Sequence, residues 1–449
     1  MSHASRIRSW TRSPWVIAPL VLLLLHAWLV RDAIQNGDGA VYNDQIESRL
    51  VGIRTTHVGY ILCGLVADRI LPFDVERSVN LMCLAFASAG GAAAFLIARS
   101  LGASRHVAAA APLLVFAIHA YLRGAVLAEV DVVACALILV AVASWLRGRV
   151  LVAGLSFGLA MLVTPVTAMS LPMLVLTVRG ARGAPARWRA HLRDVLVFAA
   201  VSLAVYAPLV GVFWHDYWYG GRGLLHAPRE PWDVAKHVAR SVAFLTSSAG
   251  PWLWLGLAGV IAGAFSGAPL APGVAAALLL TGLFGERFLD VPVQLPQLCV
   301  LAAFTVALVS RLPTPRLRWS VLLCLWAATA WPTYAAVAEE VRLDVENRDT
   351  YLAMAEQTPK MILAGVPDSW EDGLRFERIV YRRTKLGLGL SYRDLRNASQ
   401  SIVEKRADHA IWLVDAPPAG LMAPFTRNWR RDRRTVRGRE YEVWIPSSG

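Results

Sequence analysis

The chain has 449 residues, of which 56% are hydrophobic and 17% charged, and 45 Lys and Arg stand against 32 Asp and Glu for a formal net charge of +13. A soluble globular chain is about 45–50% apolar and about 25% charged, so a soluble multidomain enzyme and a disordered chain are both excluded. What remains is a mainly α, polytopic helical membrane protein with a soluble piece attached. The positive excess must be located before it is read as affinity for an anionic polymer.

A helix needs roughly 20 apolar residues to cross the hydrocarbon. Arg6, Arg8 and Arg12 precede an apolar run at 14–30 with no A-x-A-like site after it, which reads as a retained first span. Further spans are expected at 79–98, 105–123, 126–146, 194–214, 241–265, 271–288, 292–310 and 319–337. The run 150–178 contains Pro165 and Pro172. It is flanked by Arg147/Arg149 and Arg179/Arg182, which the positive-inside rule puts on one side, so a helical hairpin turning near Thr164-Pro165 is expected. The short segment 58–70, carrying Asp68 and Arg69, reads as an interfacial or juxtamembrane helix in a long outer loop, 31–78. The total is about 9–11 membrane helices.

With these choices the inner loops 1–13, 99–106, 147–149, 179–193 and 311–318 hold 15 Lys/Arg and no acid. That asymmetry sets a cytoplasmic N-terminus and an extracytoplasmic C-terminal tail, and the membrane is expected to be a bacterial plasma (inner) membrane. The expected domains are 1–337, membrane-embedded, and 338–449, a small α/β domain. In the tail, 346–357 reads as helix, and Met361–Val366, Ala410–Val414 and Tyr441–Ile445 read as strands. The run Arg427–Arg439 reads as a solvated turn beside anionic headgroups, and nucleic acid is not an expected partner. Cys63, Cys83, Cys135, Cys299 and Cys324 lie far apart in apolar stretches, with neither zinc nor disulfide spacing.

The chemistry-bearing residues gather at the outer ends of the spans. The outer loop opens with Asp38 after the Asn36-Gly37 turn, and Asp38, Tyr42 and Ile46 share one helical face. Asp44, Glu47, Arg54 and His57 follow. Glu129 and Asp131 stand at the mouth of the span 126–146, where ionisable groups at membrane depth face a cavity or a partner. Their i, i+2 spacing suits one divalent ion or one phosphate-sugar, and hard oxygen ligands favour Mg²⁺ or Mn²⁺. The plainer alternative is a carboxylate paired with Arg123. Glu286, Arg287 and Asp290 end another span, and the loop 215–240 adds Arg222. Its His215, His226 and His237 recur every eleven residues, about 16 Å apart along a helix, a spacing that disfavours a histidine metal site.

This order of features resembles the GT-C superfamily of integral-membrane glycosyltransferases, especially the protein O-mannosyltransferase and aminoarabinose-transferase-like branch. The likeness rests on Asp38 and Tyr42, the acids Glu129 and Asp131, the Gly154–Pro165 segment GLSFGLAMLVTP, Glu286–Pro292 (ERFLDVP) and a small outer domain ending the chain. Gly39 stands where the branch has Glu, His57-Val58-Gly59-Tyr60 replaces its double proline, and no basic residue precedes Pro165. The resemblance implies transfer of a sugar from a polyprenyl-phosphate-linked donor to a lipid, glycan or protein acceptor on the outer face. Asp38 is then the candidate base, with Glu129 and Asp131 beside it in the catalytic set. Tyr42, Arg54, His57, Arg222 and Arg287 are candidates for holding substrate or phosphate. Mg²⁺ or Mn²⁺ on Glu129/Asp131 remains open. A transporter or flippase, or a non-catalytic scaffold on the same fold, is the alternative; no internal repeat supports the transporter.

Overall fold

The computed structural model describes residues 14–31, 38–49, 57–178, 185–212, 231–283, 294–358, 360–365, 387–390 and 392–447. The chain forms two units: residues 1–30 with 49–338, and residues 31–48 with 339–449. The outer-loop stretch 31–48 thus groups with the tail, and α2 (Asp38–Ser48) belongs to that second unit.

The first unit is helical. It comprises α1 (Pro14–His26), α3 (Val58–Ile70), α4 (Val75–Ser100), α5 (Arg105–Ala108), α6 (Ala110–Phe116), α7 (His119–Val126), α8 (Val130–Leu146) and α9 (Val150–Val163). After a 3₁₀ turn at Pro165–Ser170 come α10 (Pro172–Val175), α11 (Pro185–Val212), α12 (Pro231–Ala249), α13 (Trp252–Ser266), α14 (Ala271–Leu283), α15 (Leu295–Val309) and α16 (Pro315–Gln357), of which only the part up to 338 belongs to this unit. Among the described residues, Val75–Ser100, Trp188–Pro208 and Pro315–Gln357 are each long and apolar enough to cross a membrane, and shorter apolar helices accompany them.

Two expected spans are broken. The span expected at 105–123 bends by 72° between Phe116 and His119. Ile118 is extended there (ψ 119°), and the Ala117 carbonyl accepts a hydrogen bond from Thr333 Oγ1 at 2.9 Å. A carbonyl released by a kink needs such a partner where water is scarce. The span at 241–265 is interrupted at Gly250-Pro251, where Gly250 is left-handed (φ 66°) and Pro251 has no amide to continue the helix. The span expected at 126–146 starts at Val130, because residues 119–126 form α7.

The hairpin expected at 150–178 is present. Helix α9 ends at Thr164, whose backbone is extended (φ −156°, ψ 124°). The return path brings the Thr177 carbonyl to Trp145 Nε1 (2.9 Å) and the Val175 carbonyl to His191 Nε2 (2.8 Å). Both ends of the segment therefore lie at the level of the α8 C-terminus. Gly154 and Gly158 let α9 approach α11 until added Cβ atoms would lie 2.9 Å from the Phe198 carbonyl and 2.8 Å from the Ser202 carbonyl. Small residues four apart make this contact possible where apolar surface alone gives no drive to associate.

Among the described residues the second unit holds a five-stranded mixed sheet, order β2-β1-β3-β5-β4, with β1 (Met361–Ala364), β2 (Gly387–Leu390), β3 (Ala410–Leu413), β4 (Trp429–Val436) and β5 (Arg439–Pro446). The first three strands are parallel and the last two antiparallel. Strands β1 and β3 are buried at every position. On one face Leu363, Trp412 and Val443 pack with Met354 and Ala355 of α16. On the other Ile362, Ile411 and Leu413 pack with Leu395 and Ile402 of α17 (Tyr392–Lys405). The arginine-rich run read as a solvated turn is strand β4, joined to β5 through Arg437 (φ 51°) and Gly438 (φ 81°). Two successive positive φ values are the hairpin geometry that matches strand twist.

Candidate functional site

A corner of the first unit collects several of the residues singled out in the sequence. Helix α7 ends in a Schellman-type cap: Ala128 is left-handed (φ 53°) and the Glu129 amide donates to the Gly124 carbonyl at 3.2 Å. That turn reverses the chain so that Glu129 is the N-cap of α8 and Asp131 lies in its first turn. Carboxylates here meet the positive end of the helix dipole. Gly124 leaves room for Glu129: an added Cβ would lie 3.3 Å from Glu129 Cβ.

Arg123 forms an ion pair with Glu129, their side chains being 23% and 28% exposed. The plainer alternative for Glu129 thus holds in this structure. Asp131 is half-buried on the same turn.

The other side of the corner is built by α3 and α9. His57 precedes α3 and donates through Nδ1 to the Val163 carbonyl at 2.7 Å. That carbonyl lies in the last turn of α9, where the Pro165 break leaves acceptors without helical partners. Tyr60, fully buried one turn on from His57, donates through its hydroxyl to the Ala128 carbonyl at 2.8 Å. Gly59 allows α3 to touch α9: an added Cβ would lie 2.8 Å from the Leu162 carbonyl carbon. His57, Tyr60, Arg123, Glu129 and Asp131 therefore belong to one assembly, fixed through the carbonyls of Ala128 and Val163.

Sequence reasoning singled out His57, Glu129 and Asp131 but missed Tyr60. The signal was its i+3 spacing from His57, which places both on one helical face. It cast Arg123 only as a structural partner. In the second unit, Asp38 begins α2, and its side chain lies outside the described residues. Tyr42 and Ile46 are buried, so the face shared by Asp38, Tyr42 and Ile46 turns inward at those two positions. Arg54, Arg222 and Arg287 lie outside the described residues.

For a metal, Glu129 and Asp131 are the acids this corner offers, and Arg123 already occupies one carboxylate. Among the described residues no three His, Cys, Asp or Glu side chains gather as a metal-ligand group. Mg²⁺ is nevertheless commonly held by one or two carboxylates plus substrate phosphates, so the pair has the chemistry for a shared rather than an all-protein site.

No protein-family model and no curated protein matches the chain. Solved structures do. ArnT from Cupriavidus metallidurans in the apo state is similar at 13% identity with a TM-score of 0.61, over 100% of this chain and 99% of that one. The same protein bound to undecaprenyl phosphate gives 14%, 0.59, and coverage of 97% and 98%. An Archaeoglobus fulgidus oligosaccharyltransferase in complex with zinc and sulfate gives 13% identity and a TM-score of 0.56, over 96% of this chain and 73% of that one. The arabinofuranosyltransferase AftD from Mycobacteria gives 15% and 0.57, over 98% of this chain and 40% of that one. At this level of identity the likeness shows the fold alone: along its whole length the chain shares the fold of these solved structures.

Proposed function

We propose that the chain is a glycosyltransferase that moves a sugar from a polyprenyl-phosphate carrier to an acceptor at the outer face of a bacterial plasma membrane. The observation that carries this reading is the full-length likeness to a structure bound to undecaprenyl phosphate, in a chain whose own carboxylates and cations meet at the end of α7. The acceptor hydroxyl attacks the anomeric carbon, the bond to the phosphate oxygen breaks, and polyprenyl phosphate departs. Asp38 takes the hydroxyl proton, and the departing phosphate needs positive charge.

Arg123 is one such cation, with Arg54, Arg222 and Arg287 as further candidates from the sequence. Its present partner, Glu129, holds it in place until a phosphate competes for it. Mg²⁺ or Mn²⁺, where the reaction uses one, would meet Glu129 and Asp131, and His57 and Tyr60 keep the two walls of the corner in register.

The test is mass analysis of envelope lipids, glycans and glycoproteins from cells with the gene, without it, and complemented with Asp38→Asn or Arg123→Gln. A sugar-bearing product should vanish with the gene. Asp38→Asn should lower its formation by roughly 10²–10⁴-fold, the range of a general base. Full transfer by Asp38→Asn at normal expression would remove Asp38 from the base role. An unchanged set of glycosylated products on deletion would remove the activity itself.

A further inference from the structure

At the opposite end of the first unit from the Arg123–Glu129 corner, a groove of about 500 Å³ runs between α1, α4, α6 and the start of α16. Its length is apolar, with Val21 and Leu25 of α1, Phe95 of α4 and Leu113 of α6 among its lining. Its mouth is not: Arg105 and His106 stand there, with Trp319 among the lining residues. Leu22 on the inner side of α1 packs against Gly91 of α4, where an added Cβ would lie 2.8 Å from Leu22 Cδ1. The groove side of α1 stays open, with Ile17, Val21 and Leu25 46%, 47% and 54% exposed. From Ile17 to Leu25 the helix rises about 12 Å.

Among the described residues the charge at the mouth has no acidic counterpart. Arg99, in the preceding turn, is engaged with the Ala103 carbonyl (2.6 Å), whereas Arg105 is exposed and has no acidic partner among the described residues. The loops read as lying on this side carry 15 Lys/Arg and no acid. An apolar channel ending in a cation beside an indole fits an amphiphile with an anionic head. In a membrane that chemistry is a glycerophospholipid with a net negative headgroup, its chain along α1 and its phosphate on Arg105 and His106.

We propose that this groove is a binding site for an anionic glycerophospholipid, separate from the proposed donor site, which fills the gap between α1, α4 and α16. The proposal requires only that the chain spans a membrane, so it stands or falls apart from the transferase reading.

The test uses the full chain, delipidated in detergent and titrated with phosphatidylglycerol or phosphatidylcholine, with retained lipid counted by native mass spectrometry. Wild type should retain phosphatidylglycerol preferentially. Arg105→Gln/His106→Gln should weaken that retention roughly fivefold, the change that about 1 kcal/mol for one headgroup-level cation corresponds to. Ala109→Trp, at the exposed groove wall, should reduce retention of both lipids. Arg149→Gln, which removes one charge from the same side outside the groove, should leave retention unchanged. Equal retention by wild type and Arg105→Gln/His106→Gln would overturn the proposal. So would an equal loss in Arg149→Gln, which would mean a diffuse basic surface. Displacement of phosphatidylglycerol by stoichiometric undecaprenyl phosphate would assign the groove to the carrier lipid and overturn it as well.

Discussion

Ala128 adopts a left-handed backbone (φ 53°) so that α7 can stop and Glu129 can cap α8. That conformation crowds Cβ against the following carbonyl and costs roughly 1–2 kcal/mol outside glycine. Its carbonyl is fixed by Tyr60 (2.8 Å), so the turn cannot relax cheaply. Ala128→Gly should therefore raise stability by about 1 kcal/mol and Ala128→Val should lower it, both read as shifts in thermal unfolding of the detergent-solubilised chain. An unchanged midpoint in both variants would mean that the turn is not strained. In the second unit, Lys360 Nζ (2.5 Å) and His409 Nδ1 (2.8 Å) hold the Asp408 carboxyl down to about 2 from its usual 3.8. A depressed carboxyl contributes stability above its unfolded value and loses it as pH falls through the folded one, so the window is pH 4 to 2. The side chain is 56% exposed, and solvent screening limits the contribution to about 0.2–1 kcal/mol. Asp408→Asn should flatten the unfolding midpoint between pH 4 and 2 by that amount, and an unaltered acid limb would show that the pair is energetically silent.

At the scale of the element, the contact of α9 with α11 is set by two glycines rather than by side-chain bulk. Gly154→Leu or Gly158→Leu would push a side chain into the Phe198 or Ser202 backbone, which cannot move as a side-chain end can. Each should cost about 1–3 kcal/mol, seen as a lowered unfolding temperature and reduced yield. Gly211→Ala in α11 meets nothing within 4 Å and should be neutral or slightly stabilising, since alanine favours the helix. Equal effects at all three positions would refute close approach as the cause. The α9 hairpin was legible in the sequence because Pro165 and paired arginine flanks both mark it. The 72° break between α6 and α7 was not legible: Ala117-Ile118 contains no breaker, and the carbonyl partner Thr333 comes from α16, far along the chain. Strand β4 was hidden for another reason. Only its ends, Trp429 and Val436, are buried, as suits an edge strand; within it Arg431 is held by Glu442 of β5, and in the turn that follows Arg437 is held by Asp349. In the candidate corner the carboxylates announced themselves by being charged near membrane depth. Tyr60 did not, because a buried tyrosine in an apolar helix reads as core until its hydroxyl acceptor is known.

Across the first unit as a whole, the two ends of its helices differ in kind. One end ties His57 to Val163, Tyr60 to Ala128 and Arg123 to Glu129. The other ties Trp145 to Thr177 and His191 to Val175, and there burial first, then the like charges of Arg149 and Arg99, lower the Arg147 pKa. Arg99, residues 147–149, residues 175–177 and His191 thus share one side, although 28 residues of apolar chain separate Arg149 from Val178. A membrane sorts such ends by their arginines, so the basic side should be cytoplasmic and the Arg123–Glu129 corner should face outward. Single cysteines in a background with Cys63, Cys83, Cys135, Cys299 and Cys324 replaced would decide this. Ser48→Cys, on an exposed position of α2, should react with an impermeant maleimide on intact spheroplasts. Ser104→Cys and Arg149→Cys, both at exposed positions beside the basic turns, should react only after permeabilisation. Labelling of Ser104→Cys and Arg149→Cys from opposite sides would contradict the shared basic face. Labelling of Ser48→Cys only from inside would invert the chain, placing the start of α2 away from an acceptor arriving from outside and removing Asp38 from the proposed reaction.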